Sequence, residues 1–492
     1  MRFKTSCQDG YLTVYLSLIF GVILSLLLAL VEGAAISAAR LQSELVADIG
    51  LDSVFAEYHR ELWEQYELFF IDESYGTSRG SLDKVQAHLE NYISYNTQPQ
   101  TGQTFFYHHN FLELKSEYLE IGAVSFATDG QGEVLKSQAI DCMKDRYGVN
   151  YLAEIKNQLQ QVTASSLTTL DVEQVIQDKR KQFEESLEQT QQEEASEENY
   201  GYEGGGFSYQ DILDCIDVMK GKGILNMTIR EPQELSAVVI EKADYVSERM
   251  SEGNVNQGCG LPSDIDSPNG VDDEILFGEY LLSKCGSYTE PKEESLLAYQ
   301  LEYILCGRSS DVANLRATAE RLVGIRSAAN YIYLVTDQSK KLEAEVIATV
   351  ICLLLRVDAI EPLTYILLAL WAYVEGIADV RALFAGEGVP LFKSEDSWRC
   401  DLSGILEGVF TDGEVEESDG LVYEDYLRLL LLLANKENKV ARAMDIMEMD
   451  IRQTTGNEAF RMDRCIDYMK VTFGFAGSRG EQFVFSRSMR YE

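Results

Sequence analysis

Residues 12–31 read LTVYLSLIFGVILSLLLALV, twenty residues without a charge. A run of about 20 apolar residues, rising 1.5 Å per residue as a helix, matches the hydrocarbon core of a bilayer. Arg2 and Lys4 precede it, whereas Glu32, Glu44, Asp48 and Asp52 follow it with only Arg40 among them. By the positive-inside rule the leader stays cytoplasmic and the rest is exported. The competing reading is a cleaved secretory signal, because small residues from Gly33 to Ala39 stand where a signal peptidase could cut. That reading exports the remaining chain as well.

Helical spacing continues past the run. No proline occurs before Pro99, and Ala34, Ala38, Leu41, Leu45 and Ile49 step by three or four. After a slip near Gly50 the stripe resumes with Leu51, Phe55, Tyr58, Leu62, Tyr66 and Phe69. One helix from Leu12 to Phe70 would be about 90 Å long, which predicts a stalk over residues 32–73. The alternative is an anchor helix that runs into the first core helix of a globular domain. Gly33 with Ser37, Ala34 with Ala38, and Ala35 with Ala39 are small pairs at spacing four. Such pairs let helix backbones approach closely, which makes these six residues the candidate surface for helix association.

Composition narrows the partners. Against 42 basic residues stand 81 acidic ones, a formal net charge of −39, so the chain repels phosphate backbones and anionic lipid surfaces. No nucleic-acid partner is expected. Eight glutamates fall between Glu184 and Glu203 without a Lys or Arg, a pattern read as solvated. Asp266, Asp272 and Asp273 lack the Asp-x-Asp-x-Asp-Gly order of a calcium loop. The nine cysteines include no Cys-x-x-Cys pair, which speaks against structural zinc. Cys306 and Cys352 read as small buried hydrophobes, and Cys259 and Cys285 sit in turn-like surroundings where they could pair.

Punctuation divides the chain further. Residues 1–11 are the leader, 12–31 the membrane helix, 32–73 the stalk, and 74–149 a region of mixed helix and strand. Residues 150–206 form a polar helix and an acidic, Gly-rich linker ending in Gly204-Gly205-Gly206. The remainder, 207–492, reads as a helical domain with a substantial core. Its apolar runs Val346–Leu355 and Leu363–Val374 are too short to span a bilayer and read as a core hairpin, with Pro362 near a helix start. The expected fold is therefore mainly α, with room for α+β in the middle.

Catalytic signals are weak. All four histidines, His59, His88, His108 and His109, precede residue 110, so no histidine-based triad lies wholly in the large C-terminal region. No Walker loop or dinucleotide fingerprint occurs, and the abundance of acids makes any carboxylate pair uninformative. No cofactor and no small-molecule substrate is indicated, and the chain reads as a non-enzyme.

Gly10-Tyr11-Leu12-Thr13-Val14 entering the apolar helix, with Glu32 and Arg40 beyond it, resembles the TadE and TadG-like proteins of Tad-type (type IVc) pilus gene clusters. The closer resemblance is to an uncharacterised family of large anchored proteins found with such clusters in low-GC Gram-positive bacteria. Its pattern is carried by Thr13–Ser17, Leu51–Tyr58 and Glu61–Tyr66, then by Glu302-Tyr303-Ile304-Leu305 and by Arg326 with Asn330. Trp371 with Glu375 and Asp379, and Tyr426-Leu427-Arg428, complete it. The resemblance implies a setting in pilus assembly or secretion, with other Tad membrane proteins or a second copy as partners, and no chemistry. It makes Gly10-Tyr11 the candidate prepilin cleavage point. Counting from Tyr11, however, the fifth residue is Tyr15 where prepilins usually carry glutamate, so poor cleavage and a permanent anchor are expected. An anchored binding module or adhesin is the alternative function, and an anchored carboxylate-dependent hydrolase is a third.

Overall fold

The computed structural model describes residues 9–97, 114–144, 146, 149–164, 170–194, 209–210, 212–213, 216, 223–394, 397–406, 420–478 and 480–491. Contacts divide the chain into two units: Met1–Gln138 with Val255–Ser267 and Thr454–Glu492, and Ala139–Asn254 with Pro268–Gln453.

The first unit is built on α1 (Asp9–Phe55), a single helix of 47 residues. Every residue from Tyr11 to Ala34 is exposed. Further along, Ala39, Ser43, Val46, Ala47, Leu51 and Val54 turn one face inward and are buried. Gly50 lies on that face, where a Cβ would stand 2.7 Å from Ile93 Cδ1, so the missing side chain lets α3 (Leu82–Thr97) pack close. The slip in the apolar pattern at Gly50 thus marks a helix crossing.

The expected unbroken stalk to Phe70 does not form. α1 ends at Phe55, and α2 (Arg60–Tyr66) starts from His59, whose Nδ1 accepts the Leu62 N–H at 3.2 Å. Glu67, at φ +55°, closes it with a left-handed residue. The chain folds back because the apolar residues after Phe55 find a nearer core: Phe55 and Phe69 both pack on Tyr491, with ring centroids 4.9 and 5.7 Å away.

A four-stranded antiparallel sheet completes this unit, from β1 (Ile71–Asp72), β2 (Lys115–Phe126), β3 (Cys465–Ala476) and β4 (Gln482–Arg490). β3 is central, with β2 along one edge and β1 and β4 along the other. Alternation places Met469, Val471, Phe473 and Phe475 on the face that meets α1 and α3. Cross-strand pairs such as Leu119 with Phe473 and Phe473 with Phe485 extend that face. The expected helical region 207–492 is corrected here: its last residues are strands that share a sheet with residues 71–72 and 115–126. α4 (Asp129–Lys144) follows β2 after a left-handed turn at Gly130, Gln131 and Gly132. The Asp129 carboxylate fixes the turn by accepting the N–H groups of Phe126, Gly258 and Gly260 at 2.8–3.2 Å.

The second unit is helical. It comprises α5 (Val149–Ala164), α6 (Val172–Glu194), α7 (Ile224–Thr228), α8 (Val246–Ser251), α9 (Val271–Lys284), α10 (Gln300–Cys306), α11 (Asp311–Thr336), α12 (Gln338–Leu355), α13 (Ile360–Phe384), α14 (Leu402–Leu406), α15 (Tyr423–Leu433) and α16 (Lys436–Arg452). Its axis is α13, apolar enough to cross a membrane by composition but 89% buried over its most apolar window, and therefore a core helix. Pro362 sits in its first turn, where a missing N–H costs nothing. α11 crosses it so closely that a Cβ on Gly376 would stand 2.5 Å from Ser327 Oγ. Met444, Met447 and Met449 of α16 are buried core residues.

Two expectations need correction here. α12 is only half a core helix: Ala344, Ala348, Ile351 and Cys352 are buried, while Leu342, Val346, Val350, Leu353 and Leu354 are exposed. α6 is more than a polar spacer, since Val172, Ile176 and Phe183 are buried and the helix packs on α13. Gly201–Gly206 lie outside the described residues.

Candidate functional site

Among the described residues three features are candidates for function, and the first is the exposed half of α1. Gly10 is inside the helix and Tyr11 is 85% exposed. Of the small residues, Gly33, Ala34, Ser37 and Ala38 are exposed, Ala35 is half-buried, and Ala39 is buried. The Ala35–Ala39 pair is therefore turned toward the protein's own fold, because Ala39 opens the face of α1 that packs inward. The other two pairs remain on the surface.

The second feature lies at the crossing of α11 and α13, where residues scattered through the sequence converge. Asp379 Oδ2 accepts the Arg326 guanidinium at 3.0 and 3.1 Å and the Asn330 amide at 3.0 Å. Its Oδ1 faces Lys393 Nζ at 2.6 Å, and Lys393 also pairs with Glu375. Glu375 accepts the backbone N–H groups of Arg399 and Cys400, both at 2.8 Å. Arg326 reaches on to the Leu391 carbonyl at 2.7 Å and the Tyr426 hydroxyl at 3.0 Å. Arg326, Glu375, Asp379 and Asn330 are wholly buried. Burial opposes the charge on Asp379, yet the adjacent Arg326 and Lys393 hold its carboxyl below the ordinary value. Three cations, Arg326, Lys393 and, at 4.0 Å from Asp379, Arg399, face two anions, with Trp371 and Trp398 packed 5.6 Å apart beside them. Each charge meets its opposite, an arrangement that fixes helix register rather than one poised for proton transfer.

These residues include Arg326, Asn330, Trp371, Glu375, Asp379 and Tyr426, which carry the sequence pattern quoted above. Its other polar members also find partners, although among the described residues Glu302 meets no cation and its Oε2 has no hydrogen-bond partner. The Tyr423 hydroxyl donates to Glu302 at 2.6 Å and Tyr303 to Asp445 at 2.7 Å, while Arg428 pairs with Glu279 at 2.6 Å. Burial pushes both Glu302 and Asp445 up to about 7. Lys393, Arg399 and Trp398 were not legible as members of this centre, because they stand on an irregular segment with no periodicity to place them.

The third feature is a cavity of about 950 Å³ between α11 and the α15–α16 junction, walled also by the start of α6 and by α7. Arg321 and Arg442 line it and both donate to the Leu305 carbonyl at the end of α10, at 3.3 and 2.9 Å. Across the lining stand Glu173, Glu320 and Tyr373. Burial, then the nearby Glu173 carboxylate, raises the Tyr373 hydroxyl to about 12. Gly324 borders the opening, and a Cβ there would meet nothing. Mixed charge and open walls suit recognition of a polar group more than bond-making.

A family model for a family of unknown function, DUF5702, matches residues 202–477. The chain belongs to the DUF5702 family. The matched DUF5702 region takes in the ionic centre, most of the cavity wall and strand β3, and α1 precedes it. No curated protein and no solved structure matches the chain.

The remaining candidates disperse. His59 caps α2 and packs with its ring tilted against Phe460 at 4.6 Å, and burial lowers its pKa. His88 Nδ1 lies 3.0 Å from Glu57, which also accepts the hydroxyls of Tyr75 and Tyr92 at 2.7 Å. His108 and His109 lie outside the described residues, as do Cys7 and Cys215. Cys259 and Cys285 do not pair: both are free thiols, one exposed in the first unit and one buried in the second. Asp272 pairs with Lys156, and Asp273 accepts the Gly270 N–H at 2.8 Å at the start of α9. Among the described residues no group of three or more His, Cys, Asp or Glu is placed to hold a metal ion.

Proposed function

We propose that this DUF5702 protein is a membrane-anchored, extracytoplasmic component of a Tad-type pilus assembly or secretion apparatus, acting by protein–protein association and not by catalysis. The observation that carries this reading is α1: one helix, apolar and exposed over its first half, with its second half built into the core beside the sheet. A cleavable signal has no structural need to continue as a core helix. An anchor that does so transmits the position of the membrane directly into the folded unit. Arg2 and Lys4 set the N-terminus in the cytoplasm and the two units outside.

The test is topological and chemical together. In wall-stripped cells, added protease should digest everything beyond Val31, carbonate should leave the chain in the membrane, and N-terminal mass spectrometry should find the leader intact. A soluble chain starting between Gly33 and Leu41 would refute the anchor. Dominant Tyr11 termini would refute the permanent leader and restore a processed pseudopilin. Co-purification with the secretion ATPase or membrane platform of the same cell tests the Tad setting.

A second reading, an anchored binding module, is favoured by the cavity. Gly324→Phe would place a ring at the border of that space, where an added Cβ meets nothing. Loss of surface adhesion with Tad co-purification unchanged would support this reading.

A further inference from the structure

The outward face of α1 stays apolar beyond its uncharged run. Leu41, Leu45 and Ile49 are 60%, 52% and 46% exposed, although Arg40, Glu44 and Asp48 already stand between them. Ala34 and Ala38, also exposed, carry the same line back to the apolar run. The opposite face, from Ala39 to Val54, is the one buried in the protein's own core. Three large aliphatic side chains aligned in water are a standing cost of about 25 cal/mol for each Å² they expose, recovered when another surface covers them.

The spacing says what kind of surface fits. From Ala34 to Leu45 and from Ala38 to Ile49 the pattern repeats after eleven residues, which is about 3.67 residues per turn. A stripe of that period stays on one side of a nearly straight helix. It can cover a second straight helix along its whole length, without the left-handed coiling that would lift α1 from its own sheet. The next position in the repeat, Asp52, ends the stripe with a charge.

Charge decides between a copy and a stranger. With −39 overall, a second copy is repelled almost everywhere. Beside this stripe it is not. Glu44 is paired with Arg40 at 3.2 Å and with Arg487 at 3.1 Å, and Asp48 is paired with Arg487 at 3.0 Å. Neutralised flanks let like meet like at this one face.

We propose that α1 pairs in parallel with α1 of a second copy along Ala34, Ala38, Leu41, Leu45 and Ile49. The proposal rests on the anchored reading above, because two copies inserted with the same orientation present the stripe in parallel register at high effective concentration. The small side chains at Ala34 and Ala38 allow close approach next to the membrane, and the larger ones interdigitate beyond it.

The experiment uses the full-length chain in native membranes, with single cysteines at Leu41, Leu45 or Ile49, a control cysteine at Tyr95, which is 65% exposed on α3, and the unsubstituted chain as baseline. Mild oxidation should give a covalent species of twice the chain mass at the stripe positions, about tenfold above the control, which corresponds to about 1.4 kcal/mol of preference. The pair Leu41→Glu and Leu45→Glu should abolish co-precipitation of two differently tagged copies while carbonate leaves the protein in the membrane. Equal crosslinking at stripe and control positions in a membrane-bound chain overturns the pairing and leaves the anchor standing. Adducts of another mass overturn it in favour of a different protein on the stripe. Recovery of the chain in the soluble fraction overturns both.

Discussion

Replacing Asp379 with alanine tests whether the ionic centre holds the second unit together. The substitution removes the carboxylate on which Arg326, Asn330 and Lys393 converge at 2.6–3.1 Å. Arg326 then keeps the Leu391 carbonyl, the Tyr426 hydroxyl and the Asn330 amide oxygen but no carboxylate, with its charge wholly buried. Breaking one side of a buried pair costs about 3–5 kcal/mol. For a unit of this size that lowers the melting temperature by on the order of 10 °C. The double change Arg326→Met and Asp379→Leu removes both charges, leaves Lys393 with Glu375, and should cost less than Asp379→Ala alone. Urea unfolding of the detergent-solubilised chain, followed by tryptophan emission, reads this directly. Two of the three tryptophans, Trp371 and Trp398, pack at the centre. A loss below about 1 kcal/mol for Asp379→Ala, or a double variant as unstable as the single one, would refute the reasoning.

Two other outcomes follow from the packing and titration of the same unit. Burial raises Glu302 and Asp445 from 4.5 and 3.8 to about 7, so the folded chain keeps protons that the unfolded chain has lost. Their contribution therefore weakens stability as pH rises from about 4 to about 7 and is constant above that. Glu302→Gln with Asp445→Asn should flatten this fall in unfolding free energy, and a slope unchanged from that of the parent chain over pH 5–7 would contradict the assignment. Gly376→Ala places a Cβ 2.5 Å from Ser327 Oγ and 3.1 Å from the Ser327 backbone nitrogen. It should cost about 1–3 kcal/mol by overpacking, despite alanine's better helix propensity. A stabilised variant in thermal unfolding would show that α11 and α13 are not in rigid contact.

The elements most legible in the sequence are those whose pattern is local. The apolar run from Leu12 to Val31, the core helix around Leu363–Val374 and the buried methionines all announce themselves over fewer than thirty residues. What escaped is non-local. Strands β3 and β4 alternate, but their partners are residues 71–72 and 115–126, and nothing near Cys465 names them. The apolar period from Phe55 to Phe69 suggested one helix because residues on both arms of a turn face the same core. So acidic a composition suggests solvent-facing carboxylates, yet Glu302, Glu375, Asp379, Asp445, Glu448 and Asp467 are buried. A carboxylate's burial depends on a distant Arg, Lys or Tyr, which single-sequence spacing does not reveal. The convergence of Arg326, Asn330, Glu375, Asp379 and Tyr426 became visible only once α11, α13 and α15 were packed.

The sheet beside α1 draws β2 from the first 126 residues and β3 and β4 from the last 28, with the whole helical unit encoded between. During synthesis, at roughly 5–20 residues per second, the ribosome needs on the order of 20–70 s to pass from one part to the other. Through that interval α1 and α3 have no sheet to cover Val46, Leu51, Val54 and Leu89, which exposes them to chaperones and proteases. The helical unit, encoded almost without interruption, reaches its core first. Closure of the sheet therefore waits for residues 465–490, and a chain that stalls before Cys465 keeps this face of α1 uncovered and open to degradation.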